Sequence, residues 1–318
     1  MTSQLRTIVA GIATLEPDDP ALAASIHLAE RTGADLHLVH VYPMHEAEDG
    51  WDPEMARPAI LPAPLQSRLA GYARAHSTED RAESVVLAGN AGEVLSGYAR
   101  AVGADLLVLA PTRRAGAAGA VLGTTASRVL RTSTVPVLVL RERLADRAAR
   151  RVLLPTDLSE HSARALPLAQ GLAAALAAPD EPVLLPLFVE VPDVDTDAPA
   201  LVAAQIDQAE VDIAVFLASI PGVEPAEGTV RVGSPANEIL AVARHWDADL
   251  VVLGTHGRRG LPRFFLGSVA ETVLRKAHCS ALVIPSAAVR APVPQVDETP
   301  WTPATAPADE AGALAEAA

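Results

Sequence analysis

One cysteine, Cys279, stands in 318 residues, so no disulfide can close within the chain. That scarcity suits a reducing compartment. Cys279 itself reads as a small buried residue at the start of a strand. Aromatic residues make up only 3% of the chain, so its core must be built from Ala, Val and Leu. Lysine is nearly missing: Lys276 is the only one, and the remaining positive charge is Arg, a compositional bias rather than a site. Acidic residues outnumber basic ones by 39 to 25, for a formal net charge of −14. A chain of that sign repels phosphate backbones, which argues against nucleic acid as a partner. No apolar run of about 20 residues is free of charge and proline, so no membrane insertion is expected. The start, MTSQLRTIVAGIATLEP, lacks a cleavable signal pattern. A cytoplasmic location is the expectation.

What is present is written twice. RTIVAGI at 6–12 returns as RVLLPTD at 151–157, and ADLLVLA at 104–110 returns as ADLVVLG at 248–254. Thr7 to Ala10 falls on Arg151 to Leu154, Gly123-Thr124 on Gly267-Ser268, and VPVLVL at 135–140 on CSALVI at 279–284, each with an offset of 144, as for the ADLLVLA pair. A tandem duplication follows, broken near the Arg-rich RERLADRAAR. Its expected units are 1–142 and 150–287, with a disordered Ala- and Pro-rich tail over 288–318. In the second unit, apolar runs at 152–155, 183–191, 228–232, 249–254 and 281–285 predict strands. Helical stretches are predicted at about 160–177, 198–219, 235–246 and 268–277. Runs that are apolar throughout suit strands covered on both faces. Strands alternating with helices imply right-handed crossovers and a parallel sheet. The fold class is therefore α/β, two doubly wound Rossmann-like domains with a five-stranded parallel sheet each. Ligands of such sheets bind beyond the C-terminal strand ends, near a switch in strand order.

The segment GTHGRRGLPRFFLGS at 254–268 lies on that edge, between the fourth strand and the last helix of the second unit. Four glycines in a short stretch demand a reason, since each loses conformational freedom on ordering. A helix N-terminus offers unpaired N–H groups and partial positive charge, and glycine before it admits a phosphate to the backbone. Arg258, Arg259 and Arg263 add local positive charge. Ser268 and Glu271 form an S-x-x-E pattern, which predicts a capping box.

On these residues the second unit resembles the nucleotide-binding branch of the universal stress protein family. That branch carries G-x2-G-x9-G-[ST] after strand four, matched by Gly254, Gly257, Gly267 and Ser268. It also carries P-T-D-x-S after strand one, matched by Pro155, Thr156, Asp157 and Ser159. The resemblance covers both halves. It implies ATP as the ligand, accompanied in some similar proteins by Mg2+, and a sensor or regulator role in the stress response. Carried over, Asp157 contacts the ribose or adenine end, with Pro155 and Thr156 on the same wall and the Val189 backbone at the adenine edge. Gly254 and Gly257 border the ribose and phosphates, and Gly267, Ser268 and Val269 hold the phosphates. The family's fifth strands pair subunits, which implies an intramolecular pseudo-dimer here and leaves room for a homodimer and for an unidentified protein partner.

No carboxylate cluster marks metal ligands, and no catalytic residue is assigned. His256 in the glycine loop reads as a loop residue rather than a group that positions water. Hydrolysis needs such a group and a charge clamp on the transition state. The chain also lacks G-x-x-x-x-G-K-[ST] and a Ser-Gly-Gly-type pyrophosphatase loop. Holding a nucleotide is therefore favoured over cleaving it, with a slow ATPase and an interaction protein without nucleotide as the alternatives. His37, His40 and His45 do not form a metal site, because His37 and His40 point to opposite faces of a strand.

The first half departs from the pattern. Ala13 stands in the place of Asp157, and Ala110 and Arg113 stand in the places of Gly254 and Gly257. Only Gly123 and Thr124 keep their positions. Side chains there crowd a phosphate-binding backbone, so the first domain is expected to bind ATP weakly or not at all. Asp19 before Pro20 and Ser234 before Pro235 read as helix N-caps.

Overall fold

The structure is a computed structural model that describes residues 5–16, 19–42, 63–76, 81–110, 123–141, 148–177, 180–191, 199–220, 228–255 and 266–289. The first repeat runs β1 (Thr7–Gly11), α1 (Pro20–Thr32), β2 (Asp35–Tyr42), α2 (Ala63–His76), β3 (Ala82–Ala88), α3 (Ala91–Ala101), β4 (Leu106–Leu109), α4 (Thr124–Thr132) and β5 (Val137–Val139). The second runs β6 (Arg151–Thr156), α5 (Glu160–Ala177), β7 (Val183–Glu190), α6 (Pro199–Ala218), β8 (Thr229–Val232), α7 (Pro235–His245), β9 (Leu250–Gly254), α8 (Ser268–Lys276) and β10 (Ser280–Ile284). The strands join in one ten-stranded sheet, in the order β3-β2-β1-β4-β5-β10-β9-β6-β7-β8. Within each repeat all pairings are parallel. The two fifth strands meet antiparallel, with Leu138 opposite Leu282.

The duplication shows in its smallest parts. Asp105 Oδ2 accepts from the Arg6 and Thr7 N–H groups at 2.8 and 3.0 Å. Asp249, 144 residues on, accepts from the Arg150 and Arg151 N–H groups at 3.0 and 2.9 Å. Each carboxylate fixes the start of its repeat's first strand to the start of the fourth.

Alternation along the strands divides the core. Ile8, Ala10, Val152 and Leu154 face α1 and α5, whereas Val9 and Leu153 face the opposite side, with α3, α4, α7 and α8. Phe188 packs under α6 with Ile213 and Leu217. Residues from both repeats share each of the two large clusters, so the core runs through the junction rather than stopping at it.

One helix start differs from expectation. The N-cap of α8 is Gly267, at φ −58° and ψ 147°, and no side chain caps it. Ser268 is the first helical residue, and Glu271 pairs with Arg275 at 2.7 Å instead of reaching back. The capping box is not formed, because the extended backbone that a cap requires falls one residue earlier. Ser234 does hold the N-cap position of α7, again without a side-chain bond. Contacts continue past the expected end of the second domain. Ala288 donates its N–H to the Pro285 carbonyl at 3.0 Å, and Ala288 and Val289 pack on the core, so the fold extends to Val289. The rest of the expected tail, 290–318, lies outside the described residues.

Candidate functional site

β6 is flanked by β9 and β7. The chain leaves β6 toward β7 through α5 on one face, and leaves β9 toward β10 through α8 on the other. The strand order therefore reverses between β6 and β9, and beyond the C-terminal ends at such a switch point sheets of this class bind their ligands. Asp157 follows β6 directly, and Gly254 ends β9.

At the β6 end the backbone turns sharply. Leu158 takes φ 59°, a left-handed conformation that a bulky side chain rarely adopts without support from its surroundings. Its N–H reaches the Thr156 hydroxyl at 3.1 Å. The Asp157 Oδ1 accepts from the Ser159 N–H at 3.1 Å, the Ser159 hydroxyl at 2.6 Å and the Ser162 hydroxyl at 2.6 Å. Such local side-chain bonds replace the ladder that the chain has just left. Asp157 is thereby held at the switch point, at the end of β6. Thr156 is buried, while Pro155 and Asp157 are half-buried.

At the β9 end Gly254 is exposed, and Thr255 is buried with its N–H on the Ile284 carbonyl at 3.2 Å. The Thr255 carbonyl accepts the Gly267 N–H at 3.0 Å, which brings the two ends of the glycine-rich segment together. The first backbone bond of α8 runs from the Glu271 N–H to the Gly267 carbonyl at 2.9 Å. The N–H groups of Ser268, Val269 and Ala270 thus precede the helical ladder and carry the positive end of the helix dipole. Ser268 is exposed and Val269 half-buried. Val189 is buried one residue before the end of β7, in register with Arg231 of β8.

Pro155, Thr156, Asp157, Gly254, Gly267, Ser268 and Val269 therefore gather around one switch point, and Val189 lies one strand further along. Gly257 lies outside the described residues, as do His256, Arg258, Arg259 and Arg263. Among the described residues no group of three His, Cys, Asp or Glu side chains could hold a metal ion. A polar chain beside the site was missed from sequence. The Ser286 N–H reaches the Thr255 hydroxyl at 3.2 Å, and the Ser286 hydroxyl lies 3.5 Å from His161 Nε2. The cluster of Ser, His and Ser in LSEHS at 158–162 signalled a polar turn, but nothing linked it to Ser286 far along the chain.

The same edge of the first repeat is built differently. A Cβ on Gly11 would meet Leu109 Cδ2 at 2.8 Å and Leu95 Cδ1 at 2.9 Å, so leucine side chains press onto the backbone where β1 ends. Ala13 is exposed, and Ala110 packs against the core. The acidic residue of that corner is Asp19. It caps α1 through the Ala21 and Leu22 N–H groups and holds the Thr14 N–H at 2.9 Å. Arg113 and His45 lie outside the described residues. His37 and His40 bond to different partners, Tyr98 and the Ile12 carbonyl, and share no site.

The family model for universal stress proteins matches the chain twice, over 4–141 and over 148–285. The chain belongs to the universal stress protein family. Among curated relatives, a universal stress protein of Methanocaldococcus jannaschii is 56% identical over 52 residues, 16% of this chain and 31% of the relative. A universal stress protein of Synechocystis is 48% identical over 58 residues, 18% of this chain and 38% of the relative. These alignments thus span well under half of either relative. A functionally unknown protein from Pseudomonas aeruginosa PAO1 has the same fold across 90% of this chain and 94% of its own, with a TM-score of 0.65 and 19% identity. A universal stress protein from a second Pseudomonas aeruginosa strain follows at a TM-score of 0.63 and 19% identity, over 88% and 93%. At such identities the likeness shows the fold alone. No helix among the described residues is long and apolar enough to cross a membrane.

Proposed function

We propose that this universal stress protein holds one adenine nucleotide, ATP, in its second repeat, and acts as a nucleotide-dependent regulator in the stress response within the cytoplasm. The observation that carries this reading is the start of α8. A glycine occupies the cap, no side chain among the described residues caps it, and Ser268 and Val269 lead the helix beside the exposed Gly254. That is the surface a polyphosphate needs: bare amides, the positive helix end, and no Cβ in the way. Asp157 lies across the switch point and supplies an acceptor for ribose or adenine. Mg2+, if it accompanies the phosphates, has no ligand set among the described protein residues and relies on phosphate oxygens and water. The first repeat, with leucines against Gly11 and no acidic group in place of Ala13, serves as a structural partner.

The test uses Gly267. A Cβ there would lie 3.4 Å from the Thr255 carbonyl, an ordinary contact, and φ −58° suits any residue. Gly267→Ala should therefore fold, at a cost of about 1 kcal/mol for the poorer N-cap. Gly267→Val adds branched bulk where the phosphates approach. Nucleotide released on denaturing the purified protein, separated by chromatography, should be one ATP per chain for wild type and be strongly reduced for Gly267→Val. Two equivalents per chain, or retention undiminished in Gly267→Val, would overturn the assignment.

A further inference from the structure

Among the described strands β3 ends the sheet on one side, so one row of its backbone groups faces away from all of them. Its middle, Ser-Val-Val-Leu at 84–87, is uncharged and rich in β-formers. Edges of this kind recruit further strands unless something covers them. Here something does. Gln66, on α2, donates its Nε2–H to the Ser84 carbonyl at 3.0 Å and accepts the Val86 N–H on its Oε1 at 3.1 Å. A strand laid parallel against Val85 would make the same pair of bonds, one to the carbonyl before it and one from the N–H after it. The side-chain amide thus stands in for one peptide unit of an eleventh strand. The opposite end of the sheet, β8, spans only four residues and carries the exposed Arg231, so length and charge already blunt it.

We propose that the β3 edge is a strand-addition surface for a second copy of this chain, and that Gln66 keeps it closed. The occupant follows from the chain's own architecture. Its two five-stranded halves already join by antiparallel pairing of edge strands, β5 against β10. β3 is longer than either, seven residues against three and five, so two copies meeting β3 to β3 would form a longer ladder than the one inside the molecule. One amide blocks it because it takes an adjacent acceptor and donor at the centre of the strand.

The full chain carrying Gln66→Ala tests this, with Ser67→Ala as the control on the same exposed turn of α2. Amide exchange at Val86 should rise about fivefold or more in Gln66→Ala, the loss expected of one hydrogen bond, and not in Ser67→Ala. Light scattering across a concentration series should show Gln66→Ala gaining mass over wild type. Gln66→Glu keeps an acceptor for the Val86 N–H, loses the donor, and places a negative charge at the edge, so its mass should match wild type. If Gln66→Ala yields no folded protein, Gln66→Asn, too short to span both bonds, carries the same expectation. Unchanged exchange at Val86 would overturn the role of Gln66. Raised exchange with the mass of wild type at every concentration would overturn the surface.

Discussion

His37 shows how a single residue sets a pH dependence. Its Nδ1 lies 2.9 Å from the Tyr98 hydroxyl and 3.5 Å from Glu83 Oε2, and the two rings meet edge to face at 5.8 Å. Burial pulls the imidazole below its ordinary value of 6.5, against the weaker pull of Glu83 and then Asp35 in the other direction. The same burial, aided by Glu83, pushes Tyr98 up to about 12, so the phenol keeps its proton through the neutral range. The sign follows from proton counting. Below pH 6.5 the unfolded chain takes up a proton on His37 before the folded one does, so folding is disfavoured as pH falls. The stabilising effect of the neutral ring is complete above 6.5 and is lost as pH drops through the lower folded value. His37→Gln keeps a partner for Tyr98 and cannot titrate. Urea unfolding in steps below pH 6.5 should show wild type losing stability faster than His37→Gln. Parallel pH profiles would refute the assignment.

Among the elements, α8 bears both the site and the junction. Its N-terminus lies at the switch point, and its C-terminal end is held by Arg141 of the first repeat. Arg141 is buried, donates Nη2–H to the Leu274 carbonyl at 2.6 Å, and passes its backbone N–H to the Ser280 hydroxyl at 2.9 Å. A cation on the last carbonyls of a helix complements its dipole, while burial holds the guanidinium below its usual value. Arg141→Met keeps the apolar stem and removes the donor. It should cost about 2 kcal/mol in chemical denaturation, the range for a hydrogen bond to a charged group; a loss within experimental error would mean that water serves Leu274 equally well. Elements of this kind were largely legible. The apolar runs at 183–191 and 249–254 became β7 and β9, and the stretch at 160–177 became α5 with the same bounds. The period of a strand and the length of a helix are written locally, and a duplicated sequence states them twice. What was not legible depended on one dihedral or on a distant partner. Ser268 and Gly267 are both acceptable caps, and backbone geometry alone chose the glycine. Gln66 meeting Ser84, or Ser286 meeting His161, joins residues that no spacing rule connects.

At the scale of the whole molecule, two repeats share one sheet. Leu138 faces Leu282 across the junction, Arg31 Nη2 donates to the Leu176 carbonyl at 3.1 Å between α1 and α5, and Leu28, Leu140, Val152 and Leu176 lie in a single cluster. Unfolding one repeat would strip that shared cluster and free the edge of β5 or β10, so the two should unfold together. On the proposed reading, a nucleotide held by the second repeat alone should then stabilise both. At a ligand concentration of about 100 Kd the linkage is about 2.7 kcal/mol, which should raise the melting temperature by roughly 5 °C. Calorimetry of protein stripped of nucleotide should give one transition, and added ATP should move it whole. Two transitions, with ATP moving only the second repeat's, would mean that the β5–β10 seam holds the halves together without coupling them. In that case the first repeat could not report on the proposed site next door, and the duplication would need a reason other than transmission through the sheet.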